Sequence, residues 1–228
     1  IRQGVRCLDF EIYSVDNTPV VSVSSQNAFD VKETYNSVSF ANAMSIVADY
    51  AFAGSTCPNP GDPLLIHLRI MSNNKPIYDV MANTLHNTLA RRLLGKKFSY
   101  ENNGKNLSQS SLKTVMGKVI IMVDKSNPLF SETLLNEYVN IASNSVFMRA
   151  LRFNDVKYTP DMQELIEFNK KNMSIVLPDL STSLKNPSST LSLNYGCQMV
   201  ALSLQSYDSS LEFYNELFDK AGSAFVLK

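Results

Sequence analysis

The sequence contains no tryptophan, only two histidines and only three cysteines in 228 residues. Cys7, Cys57 and Cys197 lie far apart and show neither CxxC nor Cys/His spacing, which excludes the common zinc motifs. An odd number of cysteines favours buried free thiols in a reducing, intracellular compartment. The P-loop, GxGxxG, GxSxG and HExxH motifs are absent as well, so nothing points to nucleotide binding, serine hydrolysis or zinc proteolysis.

Long apolar runs and net charge are also missing. No stretch of about 18 apolar residues occurs and residues 1–20 show no signal-peptide pattern, so no membrane-spanning segment or leader is predicted here. The 21 basic and 21 acidic residues cancel, so we expect no nucleic-acid partner and leave only a local patch to attract anionic lipid. The abrupt opening Ile1-Arg2-Gln3-Gly4 suggests that further sequence precedes residue 1.

Apolar runs with strand character alternate with segments of helical spacing. The predicted strands are 5–13, 19–23, 64–70, 118–123, 173–177, 197–204 and 224–227. The predicted helices are 39–52, 78–94, 131–142, 162–169 and 209–220, with loops at 99–111 and 181–190. Buried strands alternating with helices indicate an α/β fold with parallel pairing and helices outside. Seven strands are one short of an eightfold barrel, and we expect the first strand upstream of residue 1.

Two stretches carry a resemblance to a known family. Residues 4–11, GVRCLDFE, resemble the Gly-Cys-Arg-Cys-Leu-Glu-Leu-Asp strand of phosphoinositide-specific phospholipase C, in its X region. Residues 195–202, YGCQMVAL, and the closing FVLK resemble its Gly-Cys-Gln-Met-Val-Ala-Leu and Tyr-Val-Leu-Lys-Pro segments, in its Y region. The resemblance implies a distorted TIM (β/α)8 barrel of the phospholipase C-like phosphodiesterase type, a single domain over 1–228. Its X-like half would be 1–98, its linker 99–116 and its Y-like half 117–228.

The family's chemistry implies two histidines and a calcium ion held by carboxylates, which assist attack of the inositol 2-hydroxyl on the lipid phosphate. One family histidine lies in a motif that would fall upstream of residue 1. The second should fall near Val23, but the chain reads Ser22-Val23-Ser24 and has no histidine in residues 1–66. We therefore predict that this catalytic group is missing.

The resemblance places two calcium ligands at Asp9 and Glu11, whose side chains should share a face because strand positions repeat every second residue. The third family acid falls at Arg69, and a guanidinium offers no oxygen ligand. Our hypothesis is that Arg69 pairs with Asp9 or Glu11 and takes over the charge-balancing role of calcium. The alternative is that Asp9 and Glu11 are rim acids with no specific partner.

The family's phosphate-binding lysines would fall at Met122 and Asp124, although Lys125 could substitute if the register shifts by one. The family's inositol-cradling Arg-Ile-Tyr segment matches residues 175–177 loosely, without its charge or its stacking surface. His67 shares the predicted face of Arg69, either as a core polar group or facing the barrel mouth.

Two further features remain open. His86 lies on the predicted helix 78–94 and is expected at the surface or in packing. The basic run at 91–97, RRLLGKK, either complements the C-terminus of that helix or contacts an anionic membrane.

These residues predict a catalytically inactive phospholipase C-like barrel that serves as a structural or protein-interaction module, with a place in a large assembly such as a viral particle as one setting. The alternatives are a divergent phosphoinositide phosphodiesterase using His67 with Asp9 and Glu11, and lipid-headgroup binding without turnover. We expect no cofactor, or calcium if activity is retained. Protein partners are expected, and an inositol lipid or membrane surface stays open.

Overall fold

The computed structural model describes residues 1–24, 36–99, 107–181 and 185–227. These residues form two compact units, Ile1–Ala142 and Ser143–Lys228. Each unit is an assembly of strands and helices, which confirms the predicted mixed α/β class. Closure of a barrel across the two units stays a prediction.

A six-stranded sheet forms the centre of the first unit, with strand order β3-β2-β1-β4-β5-β6. Its strands are β1 (Cys7–Val15), β2 (Thr18–Ser22), β3 (Val38–Ser39), β4 (Leu64–Ile70), β5 (Val119–Asp124) and β6 (Ile141–Ser143). β1, β4 and β5 pair in parallel, as predicted. β2 pairs antiparallel with β1 and with β3, so the all-parallel expectation is wrong at this edge. The cause is a two-residue turn in which Asp16 and Asn17 both have positive φ, a geometry that joins antiparallel strands.

Two helices cover one face of this sheet: α1 (Phe40–Tyr50) and α2 (Lys75–Leu89). α1 begins where the Ser39 hydroxyl accepts the Asn42 amide, and it buries Phe40, Met44 and Val47 along one stripe, as predicted. α2 begins three residues earlier than predicted and ends at Leu89, not at 94. Arg91 and Arg92 therefore lie beyond the helix, and the prediction that they form its last turn is wrong.

The predicted helix 131–142 is also wrong. The chain instead forms two 3₁₀ turns, Pro128–Glu132 and Leu134–Tyr138, and then enters β6. Thr133 between the turns is extended, at φ −128° and ψ 169°, which prevents a continuous helix. The Asn140 side chain accepts the Ile121 amide at 2.9 Å and holds the following residues beside β5.

A buried arginine ties the start of β1 to the loop before β4. Arg6 is 4% exposed, and its guanidinium donates to the carbonyls of Ala51, Asp62 and Pro63 and to Cys57 Sγ. Three main-chain acceptors from one loop satisfy a charge that would otherwise be costly to bury. Sequence reasoning assigned Arg6 no role beyond its place in the resemblance.

The second unit contains a three-stranded parallel sheet in the order β7-β8-β9. Its elements are β7 (Met148–Arg152), α3 (Phe153–Lys157), α4 (Met162–Lys171), β8 (Met173–Leu177), α5 (Ser189–Asn194), β9 (Met199–Val200) and α6 (Ser209–Ala221). The strand at 173–177 is confirmed, and the helices at 162–169 and 209–220 are confirmed with slightly later ends.

Other predictions for the second unit were wrong. The strand at 197–204 shrinks to Met199–Val200, and residues 224–227 form no strand. β7, α3 and α5 were not predicted, and α5 lies partly in the predicted loop 181–190, of which residues 182–184 fall outside the described range. In the predicted loop 99–111, residues 100–106 also fall outside that range, and a 3₁₀ turn forms at Leu107–Gln109.

Candidate functional site

The six-stranded sheet has one apolar face and one charged face. Even-numbered side chains of β4, such as Ile66 and Leu68, pack with α1 and α2 in the main core. Odd-numbered side chains of β1 and β4 point the other way, because strand positions alternate. Parallel pairing aligns Asp9 with His67 and Glu11 with Arg69. The sheet therefore gathers on its second face the residues that the sequence predicted for the calcium site.

Arg69 bridges both carboxylates. Its Nη2 lies 2.6 Å from Asp9 Oδ2, its Nε lies 3.1 Å from Asp9 Oδ1, and its Nη1 lies 2.6 Å from Glu11 Oε1. The three side chains are only 10–14% exposed. The predicted pairing of Arg69 with Asp9 or Glu11 is present with both. We call Asp9, Glu11 and Arg69 the ion triad.

The triad is held by further hydrogen bonds. His67 is fully buried, and its Nδ1 lies 2.7 Å from Asp9 Oδ1. The Tyr13 hydroxyl donates to Glu11 Oε2 at 3.4 Å, and the Ser24 amide donates to the same oxygen at 3.1 Å. Both carboxylates are thus fixed by neighbours from β4, from β1 and from the segment that follows β2. The alternative that Asp9 and Glu11 lack specific partners is wrong.

The electrostatics follow from burial and the guanidinium. Burial alone would raise the pKa of Asp9, but the charge of Arg69 and the bonds from His67 and Arg69 outweigh it and lower the pKa well below its usual range. Burial alone would lower the pKa of Arg69, but Asp9 and Glu11 raise it. Burial and then the charge of Glu11 raise the pKa of Tyr13 to about 12. Asp9 and Arg69 are therefore both charged near neutral pH.

Calcium does not fit this arrangement. The ion needs about six to eight oxygen ligands at about 2.3–2.6 Å, and the guanidinium occupies the space between the two carboxylates that would supply them. Across the residues that the structure describes, no group of three or more His, Cys, Asp or Glu side chains could hold a metal. A positive ion beside Arg69 would also be repelled.

The positions predicted for the histidine and the two lysines lie close to the triad in the fold. Val23 is 61% exposed and directly precedes Ser24, whose amide bonds Glu11. Met122 pairs with His67 in the register and is fully buried. Asp124 ends β5, and its Oδ1 accepts the Ser126 amide at 2.9 Å. The three positions thus lie around the charged face of the sheet. Two of them, Val23 and Met122, carry apolar side chains, and the third is Asp124.

In the second unit, the segment matched to the inositol cradle is core. Ile175, Val176 and Leu177 are at most 4% exposed in β8. The Arg152 guanidinium donates to the Pro178 carbonyl at 2.8 Å, directly after this segment. The sequence did not predict a role for Arg152, because β7 was not predicted. Had β7 been recognised, the position of Arg152 at its end would have pointed to this residue.

The remaining histidine lies on the surface. His86 is on the exposed side of α2, with its Nδ1 3.3 Å from the Tyr138 hydroxyl, as the packing prediction expected. None of the helices within the described ranges is long and apolar enough to span a membrane.

Comparisons with known proteins cover both units. Residues 1–125 match the phosphatidylinositol-specific phospholipase C X domain and residues 130–228 match its Y domain. The predicted division at 98 and 117 stays a prediction. No curated protein matches the chain by sequence.

Solved structures show the same fold. PLC21 from L. pealei matches with a TM-score of 0.74 and 16% identity, over 99% of this chain and 33% of that one. PLC21 from S. officinalis matches with a TM-score of 0.76 and 16% identity, over 99% and 32%. A calcium-dependent phosphoinositol-specific phospholipase C from Pseudomonas sp. matches with a TM-score of 0.54 and 9% identity, over 87% and 80%.

The chain spans about a third of the length of the two PLC21 proteins. Its mixed α/β fold matches the catalytic X/Y region of phospholipases C, and both family domains are present in order. The chain therefore belongs to the phosphatidylinositol-specific phospholipase C family.

Proposed function

We propose that this chain is a non-catalytic phospholipase C barrel, of the distorted (β/α)8 type, that acts as a structural or protein-interaction module. The observation that carries the proposal is the ion triad, in which Arg69 lies where the family resemblance implies an acidic calcium ligand. A fold alone does not carry an activity when its site has changed. In this proposal the chain does not require calcium. Its function is to bind other proteins and not to hydrolyse phospholipid.

The charge of the site supports this proposal. Phospholipid cleavage needs positive charge against the phosphate, which calcium and lysines supply in the chemistry that the resemblance implies. Among the described side chains of this site, the cation is Arg69, and it is paired with Asp9 and Glu11 at 2.6 Å each. Among the side chains of this charged face, β5 adds Met122 and Asp124, so it contributes no positive charge. Among the described side chains of this face, the acids Asp9, Glu11 and Asp124 therefore outnumber the one arginine.

Neither described position considered for a proton-transferring histidine, Val23 or His67, offers an exposed imidazole. A general acid or base has to reach the reacting atoms, within about 3 Å or through one water. Val23 has no ionisable group, and His67 has no exposed surface. The His67–Asp9 contact of 2.7 Å is therefore a buried structural bond in this proposal.

The decisive experiment is hydrolysis of phosphatidylinositol and its bisphosphate in mixed micelles, with millimolar calcium and with chelator. We expect no turnover above buffer in either condition. The alternative, a divergent phosphodiesterase, predicts turnover that disappears in His67→Ala and persists in His86→Ala, the matched surface histidine. Turnover with that pattern would refute the proposal.

A further inference from the structure

The basic run that follows α2 does not serve the helix. α2 ends at Leu89, so Arg91 and Arg92 lie past the residues whose carbonyls a helix leaves unpaired. The Arg92 guanidinium instead stacks on Phe52 at 4.5 Å and donates to the Gly117 carbonyl at 3.2 Å. The Arg91 carbonyl accepts the Lys118 ammonium at 3.2 Å. Helix capping therefore does not explain these cations.

The same contacts gather further cations at one edge of the first sheet. The Leu64 amide donates to the Lys118 carbonyl, and Leu93 forms a bridge with Val119, so the chain around residues 91–93 and 118 lies at the start of β4 and β5. Lys113 lies in the 3₁₀ turn Leu112–Val115. The Lys118 amide donates to the Val115 carbonyl, so this turn lies next to Lys118. We call this surface the basic edge; its members are Arg91, Arg92, Lys113 and Lys118, with the apolar residues Leu112 and Met116.

Charge is strongly segregated here. The described stretches 90–99 and 107–118 contain six of the 21 basic residues and none of the 21 acidic ones, although the whole chain is neutral. Within the described part of the chain, none of the four cations of the basic edge forms a salt bridge. Among the described acids, backbone contacts bring Asp62 close to the basic edge, because the carbonyl of the preceding Gly61 accepts the Gly117 amide. Cations without ionic partners attract an external anionic surface.

Apolar side chains decide which anionic surface fits. Leu112 and Met116 are 41% and 43% exposed among the cations. Exposed apolar tips surrounded by Lys and Arg suit a bilayer interface, where the tips enter the headgroup layer and the cations meet anionic lipids. A nucleic acid would use the cations but gain nothing from the two aliphatic tips.

We propose that the basic edge docks this protein on anionic membranes. The edge lies at the N-terminal ends of the parallel strands, about 17 Å along β4 from Arg69. Docking by this edge turns the ion triad away from the bilayer, so a lipid in the same membrane does not reach the site. The proposal goes beyond the absence of turnover and does not depend on it.

Vesicle co-sedimentation tests the docking. We expect binding to phosphatidylcholine vesicles that contain phosphatidylserine, and none to phosphatidylcholine alone. Each basic residue contributes about fivefold at such a surface, so Arg91→Glu with Lys113→Glu should weaken binding by at least about 25-fold. Among the described residues, neither side chain makes a hydrogen bond, ion pair or ring contact that the change would remove. The matched control, Lys157→Glu with Lys220→Glu, makes the same change in net charge elsewhere and should retain most of the binding.

Equal weakening by both double variants would overturn the proposal, and so would binding to a duplex oligonucleotide in place of vesicles. Leu112→Ser with Met116→Ser separates lipid from other polyanions, because it should weaken only vesicle binding.

Orientation has its own test, which the absence of tryptophan makes simple. Met116→Trp introduces the single tryptophan on the basic edge, and Val15→Trp introduces it at the opposite strand ends. Brominated lipids should quench Met116→Trp and leave Val15→Trp unchanged. The reverse pattern would place the charged face against the membrane. Phospholipid turnover would refute the non-catalytic function and leave this result standing.

Discussion

Arg69 stabilises two buried carboxylates at once, and its removal should show this. Arg69→Met keeps an unbranched side chain in the same place but removes the guanidinium. Asp9 and Glu11 then face each other without that cation. Breaking a buried ion pair in this way costs about 3–5 kcal/mol, so we expect a loss of that size in the free energy of unfolding measured with urea. Arg149→Met is the matched control, because Arg149 makes an exposed pair with Glu164 and should cost at most about 1 kcal/mol. Equal losses in both variants would show that the triad is not specially stabilising.

The pH dependence of stability should change sign in the same variant. In the native chain the pKa of Asp9 is lowered on folding, so its contribution is fully present above the unfolded value of about 3.9 and is lost as the pH falls below it. Without Arg69, burial dominates and raises the pKa of Asp9, so the folded variant takes up a proton. The variant should therefore gain stability as the pH falls toward the unfolded value of about 3.9, while the native chain does not. Parallel pH profiles of the two unfolding free energies would contradict this.

At the scale of single residues, the sequence predicted the partners of the triad but not its geometry. Asp9, Glu11 and Arg69 were identified from their strand spacing and the family resemblance. The bridging of both acids depends on the register of β1 against β4, which no local pattern encodes. Arg6 and Arg152 stayed without a role because each bonds carbonyls that are distant in sequence.

The elements of the first unit depend on Arg6 for the position of the loop before β4. Arg6→Lys keeps the charge but cannot reach three carbonyls with one planar group. We expect a loss of about 2–3 kcal/mol in unfolding free energy, because buried acceptors on Ala51, Asp62 and Pro63 lose their donors. Lys substitution at Arg2, which stacks on Tyr50 at the surface, is the control and should be nearly neutral. A loss under about 1 kcal/mol at Arg6 would mean that water replaces these bonds.

Elements with a continuous apolar pattern were predicted best. β4 and β8 match their predicted bounds because nearly every residue of both strands is buried and most residues of LLIHLRI and MSIVL are apolar. The segment 131–142 has helical spacing, yet the extended Thr133 and the Asn140 side chain direct it into the sheet. β7 was missed because MRALR consists largely of good helix formers.

For the molecule as a whole, stability should not respond to calcium. The native chain should unfold at the same temperature with millimolar calcium and with chelator, since Arg69 already balances both acids. Arg69→Ser opens the space between Asp9 and Glu11, so calcium should raise its unfolding temperature. Arg149→Ser should show no such response. A calcium-dependent rise in the native chain would mean that a cation site exists apart from the triad.

The ion triad also favours one register of β1 against β4. Shifting β1 by one residue against β4 would turn Asp9 and Glu11 toward α1 and α2, into a core of aliphatic side chains. A shift by two residues would leave one carboxylate opposite Met71 or Leu65, without a cation. Either misalignment would leave a buried carboxylate without a cation. The correct register is therefore separated from the alternative registers by a large energy gap. The residues that the family resemblance assigns to metal binding would thus serve here to reject wrongly assembled sheets while the chain folds.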